Sequence, residues 1–212
     1  MDNQSMSIKA VVFDYGHVIS LPQNERVLDN LAELAGVKRD KFEAVFWSMR
    51  GEYDRGSITA REYYSNVFSS FNSVLNEDAI EKMMALELQI WDRLDPGTVK
   101  LMEDVKKAGL LLGILSNMPR DFLAWARKNV PVVSLADVSV FSCEHNTVKP
   151  EEAIYLKLIS LLGTESSEVV FFDDVEKNIN AARALGIEAL LWKDSETARK
   201  DLSALGLSAL KG

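Results

Sequence analysis

The run VVFDYGHVI, residues 11–19, decides the fold, because an uninterrupted apolar segment ends there on an aspartate, Asp14. Short apolar runs without polar alternation are typical of strands buried on both faces of a parallel sheet. A carboxylate just past such a strand points into the crevice where open α/β sheets bind ligands. On its own, the pattern also fits an aspartate that only caps a turn.

Similar apolar runs recur along the chain and predict the other strands. With residues 8–13 as the first run, they cover residues 110–115, 138–141, 169–172 and 189–192. Amphipathic helical stretches lie between most of these runs. This alternation predicts an α/β fold with a doubly wound, Rossmann-like parallel sheet.

The alternation is interrupted once, because the long stretch after Asp14 has a helical pattern throughout. We predict an inserted helical cap over residues 20–94 and a core domain formed by residues 1–19 and 95–212. Pro96 and Gly97 mark the return to the core. The cap helices are indicated by the apolar face of Val27, Leu28, Leu31 and Leu34, the face of Phe42, Val45, Phe46 and Met49, the capping box of Thr59 and Glu62, and residues 79–94.

The composition limits the partners and the compartment. A formal charge of -8 and a pI near 4.9 argue against nucleic acid or an anionic membrane as partner, since both are polyanions. Cys143 is the only cysteine, which excludes an intramolecular disulfide and favours a reducing compartment. No segment has the pattern of a signal peptide or the length of a membrane span, so we predict a cytoplasmic protein.

Polar side chains follow the second strand and precede a later helix. Ser116 and Asn117 end the run LLLGILSNMP, where a hydroxyl, an amide and turn N–H groups can bind phosphoryl oxygens. The same pair is also common as a helix cap. Lys149 would bring a compact positive charge into the crevice. Pro150, beside it, is equally consistent with an ordinary first helical residue.

Two adjacent carboxylates, Asp173 and Asp174, end the apolar run VVFFDD. Two unit charges about 4 Å apart repel by roughly 4 kcal/mol at an effective dielectric of about 20. With Asp14 added, a bound cation is the simplest way to offset the repulsion between the carboxylates. Hard oxygen ligands favour magnesium. Asn178 could reach back from the next helical turn to orient one of these groups.

Taken in order, Asp14, the Ser116–Asn117 pair, Lys149 with Pro150, and the Asp-Asp-x-x-x-Asn run from Asp173 resemble the motifs of the haloacid dehalogenase-like hydrolase superfamily. The resemblance covers residues 8–192 and implies a core with strand order 5-4-1-2-3 plus the inserted cap. The form FDYGHVI is similar to a bacterial subgroup that includes glucose-1-phosphate phosphatases. It also resembles the N-terminal phosphatase domain of soluble epoxide hydrolase.

The resemblance implies a magnesium-dependent phosphatase of a small phosphorylated metabolite, such as a sugar phosphate. Asp14 would attack the phosphorus and form an aspartyl-phosphate that water then cleaves. Ser116, Asn117 and Lys149 would hold the phosphoryl oxygens. The metal would be bound by the side chains of Asp14, Asp173 and Asp174 and by the main-chain carbonyl of Gly16.

Gly16 departs from the superfamily pattern, because most of its phosphatases have a second aspartate there as general acid and base. Loss of a positioned acid lowers a rate by about 10² to 10⁴. We therefore expect a preference for leaving groups that need little protonation, such as sugar 1-phosphates, aryl phosphates and acyl phosphates. His17 is the nearest replacement acid in sequence, and a packing or capping role is the simpler alternative.

Substrate choice should reside in the cap, which closes over the phosphate. The run FWSMRGEYDRGSIT places Trp47, Arg50 and Tyr53 at a spacing that shares one side of a helix. If they reach the site, an aromatic ring and a guanidinium would suit a sugar phosphate. The alternative is that Trp47 and Tyr53 pack the cap core while Arg50 makes a surface ion pair.

Two other functions stay open. A degenerate relative that binds a phosphorylated ligand or a partner without efficient turnover would explain Gly16. A 2-haloacid dehalogenase would also use Asp14 as nucleophile, but it needs no metal, and the Asp173–Asp174 pair argues against it. The sequence predicts a monomer or a homodimer.

Overall fold

The computed structural model describes residues 7–72 and 77–210. Within them, five parallel strands form one sheet in the order β3-β2-β1-β4-β5. The strands are β1 Ala10–Phe13, β2 Leu111–Ser116, β3 Val138–Phe141, β4 Val169–Asp173 and β5 Glu188–Leu191. The predicted doubly wound sheet and its strand order are confirmed. The first strand begins two residues later than predicted, because Ile8 and Lys9 precede the ladder.

The register of the central strands brings their polar ends together. Phe13 of β1 pairs with Ile114 of β2 on one side and with Phe172 of β4 on the other. All four residues of β1 are fully buried, as expected for a strand covered on both faces. Because the strands are parallel and in register, Asp14 and Asp173 emerge at the same edge of the sheet.

Among the described residues, five helices lie in the predicted cap: α1 Glu25–Leu34, α2 Arg39–Ser48, α3 Arg50–Arg55, α4 Ala60–Ser69 and α5 Glu77–Leu88. Their apolar side chains make a cluster of their own, separate from the clusters against the sheet. The capping box at α4 is confirmed, since Thr59 N–H donates to Glu62 and Glu62 N–H donates to the Thr59 hydroxyl. The helix predicted over residues 79–94 is shorter and ends at Leu88.

Two predicted cap core positions are wrong. Leu34 is 40% exposed, because the buried stripe of α1 runs through Leu28, Leu31 and Ala35. At about 100° per residue, Leu34 lies roughly 90° from the centre of that stripe. Met49 is 36% exposed, since it follows the last residue of α2 and leaves its helical face.

Cap and core are joined by two chain segments that pair with each other. Ser20 and Leu94 form an antiparallel bridge, and Asp95 N–H donates to the Ile19 carbonyl at 2.9 Å. The bridge lies where the sequence predicts the cap to begin and end. The division into two domains stays a prediction, and residues 1–6 and 211–212 of the predicted core lie outside the described residues.

The core helices cover both faces of the sheet. They are α6 Pro96–Lys107, α7 Arg120–Asn129, α8 Pro131–Leu135, α9 Ser142–His145, α10 Glu152–Leu162, α11 Glu176–Ala184 and α12 Ser195–Ala204. Side chains of α6, α7, α8 and α12 pack on one face, and those of α10 and α11 on the other. Pro150 is not the first residue of α10, which begins two residues later, and its peptide bond with Lys149 is cis. Within the described ranges, no helix is long and apolar enough to cross a membrane.

Candidate active site

A cavity of about 470 Å³ opens at the carboxyl edge of the sheet, between the core and the cap. This volume suits a small metabolite. Its walls include the core residues Asp14, Gly16, His17, Ser116, Asn117, Lys149, Asp174, Lys177 and Asn178 and the cap residues Trp47, Arg50, Asp54 and Trp91. The structure thus brings together most of the residues that the sequence singles out from four separate segments.

Asp14 is held by one of its two carboxylate oxygens. Its Oδ1 accepts the N–H of Tyr15 at 2.7 Å and lies 2.8 Å from Nζ of Lys149. Among the described residues, Oδ2 has no such contact, so it is the oxygen left for chemistry. Burial raises the pKa of Asp14 to about 7, although the ammonium of Lys149 opposes that rise.

Lys149 is a buried cation shared by two carboxylates. Its Nζ lies 2.8 Å from Asp14 Oδ1 and donates to Asp173 Oδ2 at 2.6 Å and to the Leu115 carbonyl at 3.0 Å. These three neighbours account for its three protons. Burial acts to lower the pKa of Lys149, but the two carboxylates outweigh it and raise the pKa above its usual value. The ammonium is therefore charged.

Asn117 fixes the main chain of this lysine. Its Oδ1 accepts the N–H of Lys149 at 2.7 Å, and its Nδ2 donates to the Lys149 carbonyl at 3.0 Å. Both ends of the amide are thus engaged, although Asn117 also lines the cavity. Ser116 ends β2 at the cavity and is 3% exposed.

Asp173 is fully buried and its lone pairs are already used. Oδ1 accepts Val175 N–H at 2.8 Å and Asn178 Nδ2 at 3.0 Å, while Oδ2 accepts Lys149 and Asn178. A carboxylate has about four acceptor positions. Asn178 therefore orients Asp173, as the sequence predicts for one of the two aspartates.

Asp174 is more open, with 28% of its side chain exposed. Burial and the charge of Asp173 raise its pKa. Asp14, Asp173 and Asp174 each offer an oxygen, and the three oxygens lie within 4.8 Å of one another. Three carboxylates around one ammonium leave two negative charges uncompensated. This donor set fits a divalent cation with hard oxygen ligands, and Asp14 and Asp174 have the oxygens free to hold it.

Gly16 leaves room where a longer side chain could stand. A Cβ at this position would meet the ring of Trp91 at 3.6 Å, which is ordinary contact. His17 adopts the left-handed conformation with φ 58°, an uncommon one for a residue other than glycine. Its Nδ1 lies 3.4 Å from Asp174 Oδ2 and its ring centroid 5.0 Å from that of Trp91. The imidazole therefore points toward the carboxylate cluster.

The three cap residues that the sequence proposes for substrate contact separate into two groups. Trp47 and Arg50 line the cavity. Tyr53 is 2% exposed, stacks on Tyr63 with 4.6 Å between ring centroids, and donates its hydroxyl to Asp121 at 3.3 Å. It lies outside the cavity wall, because its ring packs in the cap core and its hydroxyl bonds to α7 of the core domain.

Arg50 does not make the surface ion pair that the alternative interpretation expects. Its side chain is 12% exposed, and its Nε donates to Asp54 Oδ1 at 2.8 Å. Its Nη1 contacts Glu87, whose other oxygen accepts the Tyr64 hydroxyl. The guanidinium is largely shielded from solvent because aromatic rings of α2, α3 and α4 surround it.

Four further residues at this junction, Asp54, Glu87, Trp91 and Ser142, were not predicted from the sequence. Asp54 could have been found from its spacing of four after Arg50, which places both on one helix face. Glu87 and Trp91 lie far along the chain and have no local signal. Ser142 accepts Met118 N–H at 2.9 Å and donates to the Asp54 carbonyl, and so connects the loop after β2 with the cap.

Comparisons with known proteins agree with this geometry. A family model described as haloacid dehalogenase-like hydrolase matches residues 8–186. Phosphatase MT3486 of Mycobacterium tuberculosis is 25% identical over 213 residues, which cover 95% of this chain and 96% of that protein. Bifunctional epoxide hydrolase 2 of Rattus norvegicus is 22% identical over 93% of this chain, which spans 38% of that protein.

A solved structure shares the fold. The HAD family enzyme bt-2542 of Bacteroides thetaiotaomicron, in complex with magnesium and inorganic phosphate, aligns with a TM-score of 0.73 at 22% identity. The alignment covers 89% of this chain and 96% of that one. At this identity, the likeness concerns the fold.

Proposed function

This chain belongs to the haloacid dehalogenase-like hydrolase family, and on that premise we propose that it is a magnesium-dependent phosphatase of a small phosphorylated metabolite. The observation that carries the proposal is the charge imbalance at Asp14. When Asp14, Asp173 and Asp174 are all ionised, they carry three negative charges against the one positive charge of Lys149, and a divalent cation balances the remaining two. The proposed phosphatase chemistry uses such a cation, whereas a dehalogenase of this superfamily does not.

Asp14 is the nucleophile in this proposal. Its Oδ2 forms a bond to phosphorus as the bond to the leaving oxygen breaks, and the product is an aspartyl-phosphate. Water then attacks the phosphorus, which releases inorganic phosphate and restores the carboxylate. Bound magnesium would neutralise the excess negative charge and polarise the phosphoryl oxygens.

The neighbouring residues position these groups. Lys149 holds Asp14 through Oδ1, so that Oδ2 faces the cavity. Asp173 and Asn117 hold Lys149, one by its ammonium and the other by its main chain. Ser116 binds phosphoryl oxygens through its hydroxyl. Asp14 and Asp174, with the Gly16 carbonyl, would hold the metal, and Asp173 would act mainly through Lys149.

Protonation of the leaving group is the weak step of this site. Gly16 has no acidic side chain, and the ring of Trp91 borders the space where a Cβ at this position would stand. His17, the next residue in sequence, lines the cavity with its Nδ1 3.4 Å from Asp174 Oδ2 and is our candidate for the replacement acid. We therefore propose that the enzyme prefers esters with good leaving groups, such as sugar 1-phosphates, aryl phosphates or acyl phosphates.

Hydrolysis of para-nitrophenyl phosphate tests the proposal directly. We expect turnover with magnesium, loss of turnover with a chelator, and loss in Asp14→Asn. Binding of inorganic phosphate without any turnover on a broad ester panel would favour a degenerate binding protein, which Gly16 alone supports. Metal-independent halide release from a 2-haloacid would favour a dehalogenase.

Two properties of the molecule remain predictions. We propose that the protein resides in the cytoplasm and acts as a monomer or a homodimer. Cell fractionation and light scattering of the purified chain measure these properties.

A further inference from the structure

The cap wall of the cavity contains a cation that is already neutralised. Arg50 binds Asp54 through Nε and contacts Glu87 through Nη1. Its guanidinium carbon also lies 5.1 to 5.8 Å from the ring centroids of Phe46, Trp47, Tyr53 and Tyr63. Two carboxylates bind this guanidinium through Nε and Nη1, so the group formed by Arg50, Asp54 and Glu87 has one more negative than positive charge when both carboxylates are ionised.

Asp54 is the cap carboxylate that faces the cavity. Its side chain keeps 12% of its surface exposed, and only Oδ1 has a hydrogen-bond partner among the described residues. The Asp54 main-chain carbonyl accepts the Ser142 hydroxyl of the core. Because the side chain and the main chain are both held, Asp54 is a preorganised hydrogen-bond acceptor.

Two tryptophans form the apolar part of the same wall. The rings of Trp47 and Trp91 lie 6.4 Å apart between centroids, at 60° to each other. Both residues line the cavity and are partly buried. Such rings offer broad apolar surface to the C–H face of a bound molecule.

We propose that Asp54 determines specificity, and that it selects phosphate esters whose leaving group is uncharged and bears hydroxyls. Hydroxyl groups donate to Asp54, while the ring or carbon chain packs on the tryptophans. A second anionic group, such as a carboxylate or another phosphate, meets a carboxylate instead of a free guanidinium and is rejected. This inference rests on the proposed phosphatase function and adds the substrate class.

Lys177 is the cation that could oppose this selection. It lines the core side of the cavity, but it is exposed on α11. Water and salt screen an exposed charge far more than a buried one. The buried carboxylate of Asp54 should therefore dominate the choice of leaving group.

Matched substrate pairs test this inference. We would measure kcat/KM for glucose 1-phosphate against glucose 1,6-bisphosphate, and for glycerol phosphate against phosphoglycerate, with para-nitrophenyl phosphate as reference. Wild-type protein should prefer the uncharged partner by about tenfold or more. Asp54→Asn keeps the shape and the Arg50 contact, and should reduce that preference at least about fivefold. Glu87→Gln should also reduce the preference for the uncharged substrate, but by a smaller factor, because Glu87 is only 2% exposed.

Glu52→Gln is the matched control, since it removes the same charge from an exposed cap position outside this cavity wall. Its preference should stay within about twofold of wild type. Equal or faster turnover of the bisphosphate by wild type, with para-nitrophenyl phosphate still hydrolysed, overturns the inference and leaves the phosphatase proposal standing. Loss of all magnesium-dependent turnover overturns both. If circular dichroism shows that Asp54→Asn is unfolded, the inference is tested by the kcat/KM preference of wild type and by the change of that preference in Glu87→Gln.

Discussion

Lys149 and Arg50 are cations that line the same cavity from the core and from the cap, the first buried and the second with 12% of its side chain exposed, and their surroundings differ. Lys149 of the core serves a group of three carboxylates that stays negative and opens to the cavity. Arg50 of the cap is bound by the carboxylates of Asp54 and Glu87. The Tyr64 hydroxyl donates to Glu87, and aromatic rings surround the guanidinium. The first arrangement needs a further cation and suits catalysis. The second keeps one Asp54 oxygen as a hydrogen-bond acceptor toward the cavity and suits recognition of neutral groups that bear hydroxyls.

The largest effect should follow from removing the core cation. Lys149→Met leaves three carboxylates without their ammonium, so we expect activity to fall by about 10³ or more. Stability should fall by about 3 to 5 kcal/mol, because uncompensated buried charges remain. Magnesium should raise the melting temperature of this variant more than that of wild type. An equal rise in both proteins would mean that the carboxylates do not share one cation site.

Removing the cap cation should destabilise the protein without changing the metal response. Arg50→Met strands the carboxylates of Asp54 and Glu87, which should cost about 3 to 5 kcal/mol in urea unfolding. Adding Glu87→Gln should recover part of that loss, since one stranded charge is removed. If magnesium raised the melting temperature of Arg50→Met as much as that of Lys149→Met, the two clusters would not differ in their need for a cation.

A new carboxylate beside the core cluster should change the leaving-group preference. Gly16→Asp has room for its Cβ against Trp91 and would supply the missing acid. We expect the ratio of kcat/KM for phenyl phosphate over ethyl phosphate to fall by about 10 to 100-fold. Gly16→Asn has the same size without the acid and serves as control. The same fall in Gly16→Asn would assign the effect to shape.

The smallest effect should come from an exposed ion pair between cap and core. Arg55 bonds to Glu151 by two contacts, and this holds the pKa of Glu151 at about 2, below its ordinary 4.5. The lowered pKa contributes stability above pH 4.5, and that contribution is lost as pH falls toward 2. Because Glu151 is 43% exposed, Arg55→Gln should cost less than about 1 kcal/mol.

An NMR titration of Glu151 checks this prediction. In Arg55→Gln, the pKa should return toward 4.5. A pKa that stays near 2 would assign the shift to Thr147 and Val148, which also donate to this carboxylate.

The two clusters also differ in how far the sequence predicts them. Asp14, Ser116 and Asp173 each follow an apolar strand, and parallel strands in register end at one edge. Local pattern therefore suffices to bring the core cluster together. Glu87 of α5 meets Arg50 of α3 only through the tertiary packing of the cap helices, and that packing depends on contacts between segments far apart in sequence.

The same limit explains why the sequence left the place of Tyr53 open and did not single out Trp91. Helical spacing puts Tyr53 near Arg50, but only tertiary packing decides that Tyr53 stacks on Tyr63 in the cap core. Trp91 follows the last cap helix and has no polar or periodic signal, although it lines the cavity. Buried charges with distant partners and isolated aromatic residues are therefore visible only in the structure.

Detection of the covalent intermediate tests the central claim most directly. The reaction with para-nitrophenyl phosphate would be quenched in acid at early times, and the digested protein mapped by mass spectrometry. We predict a phosphoryl group on Asp14 in wild type with magnesium, and none in Asp14→Asn or with chelator. Turnover with the phosphoryl group on another residue, or with no modified peptide under single-turnover conditions, would contradict the assignment of Asp14 as the nucleophile.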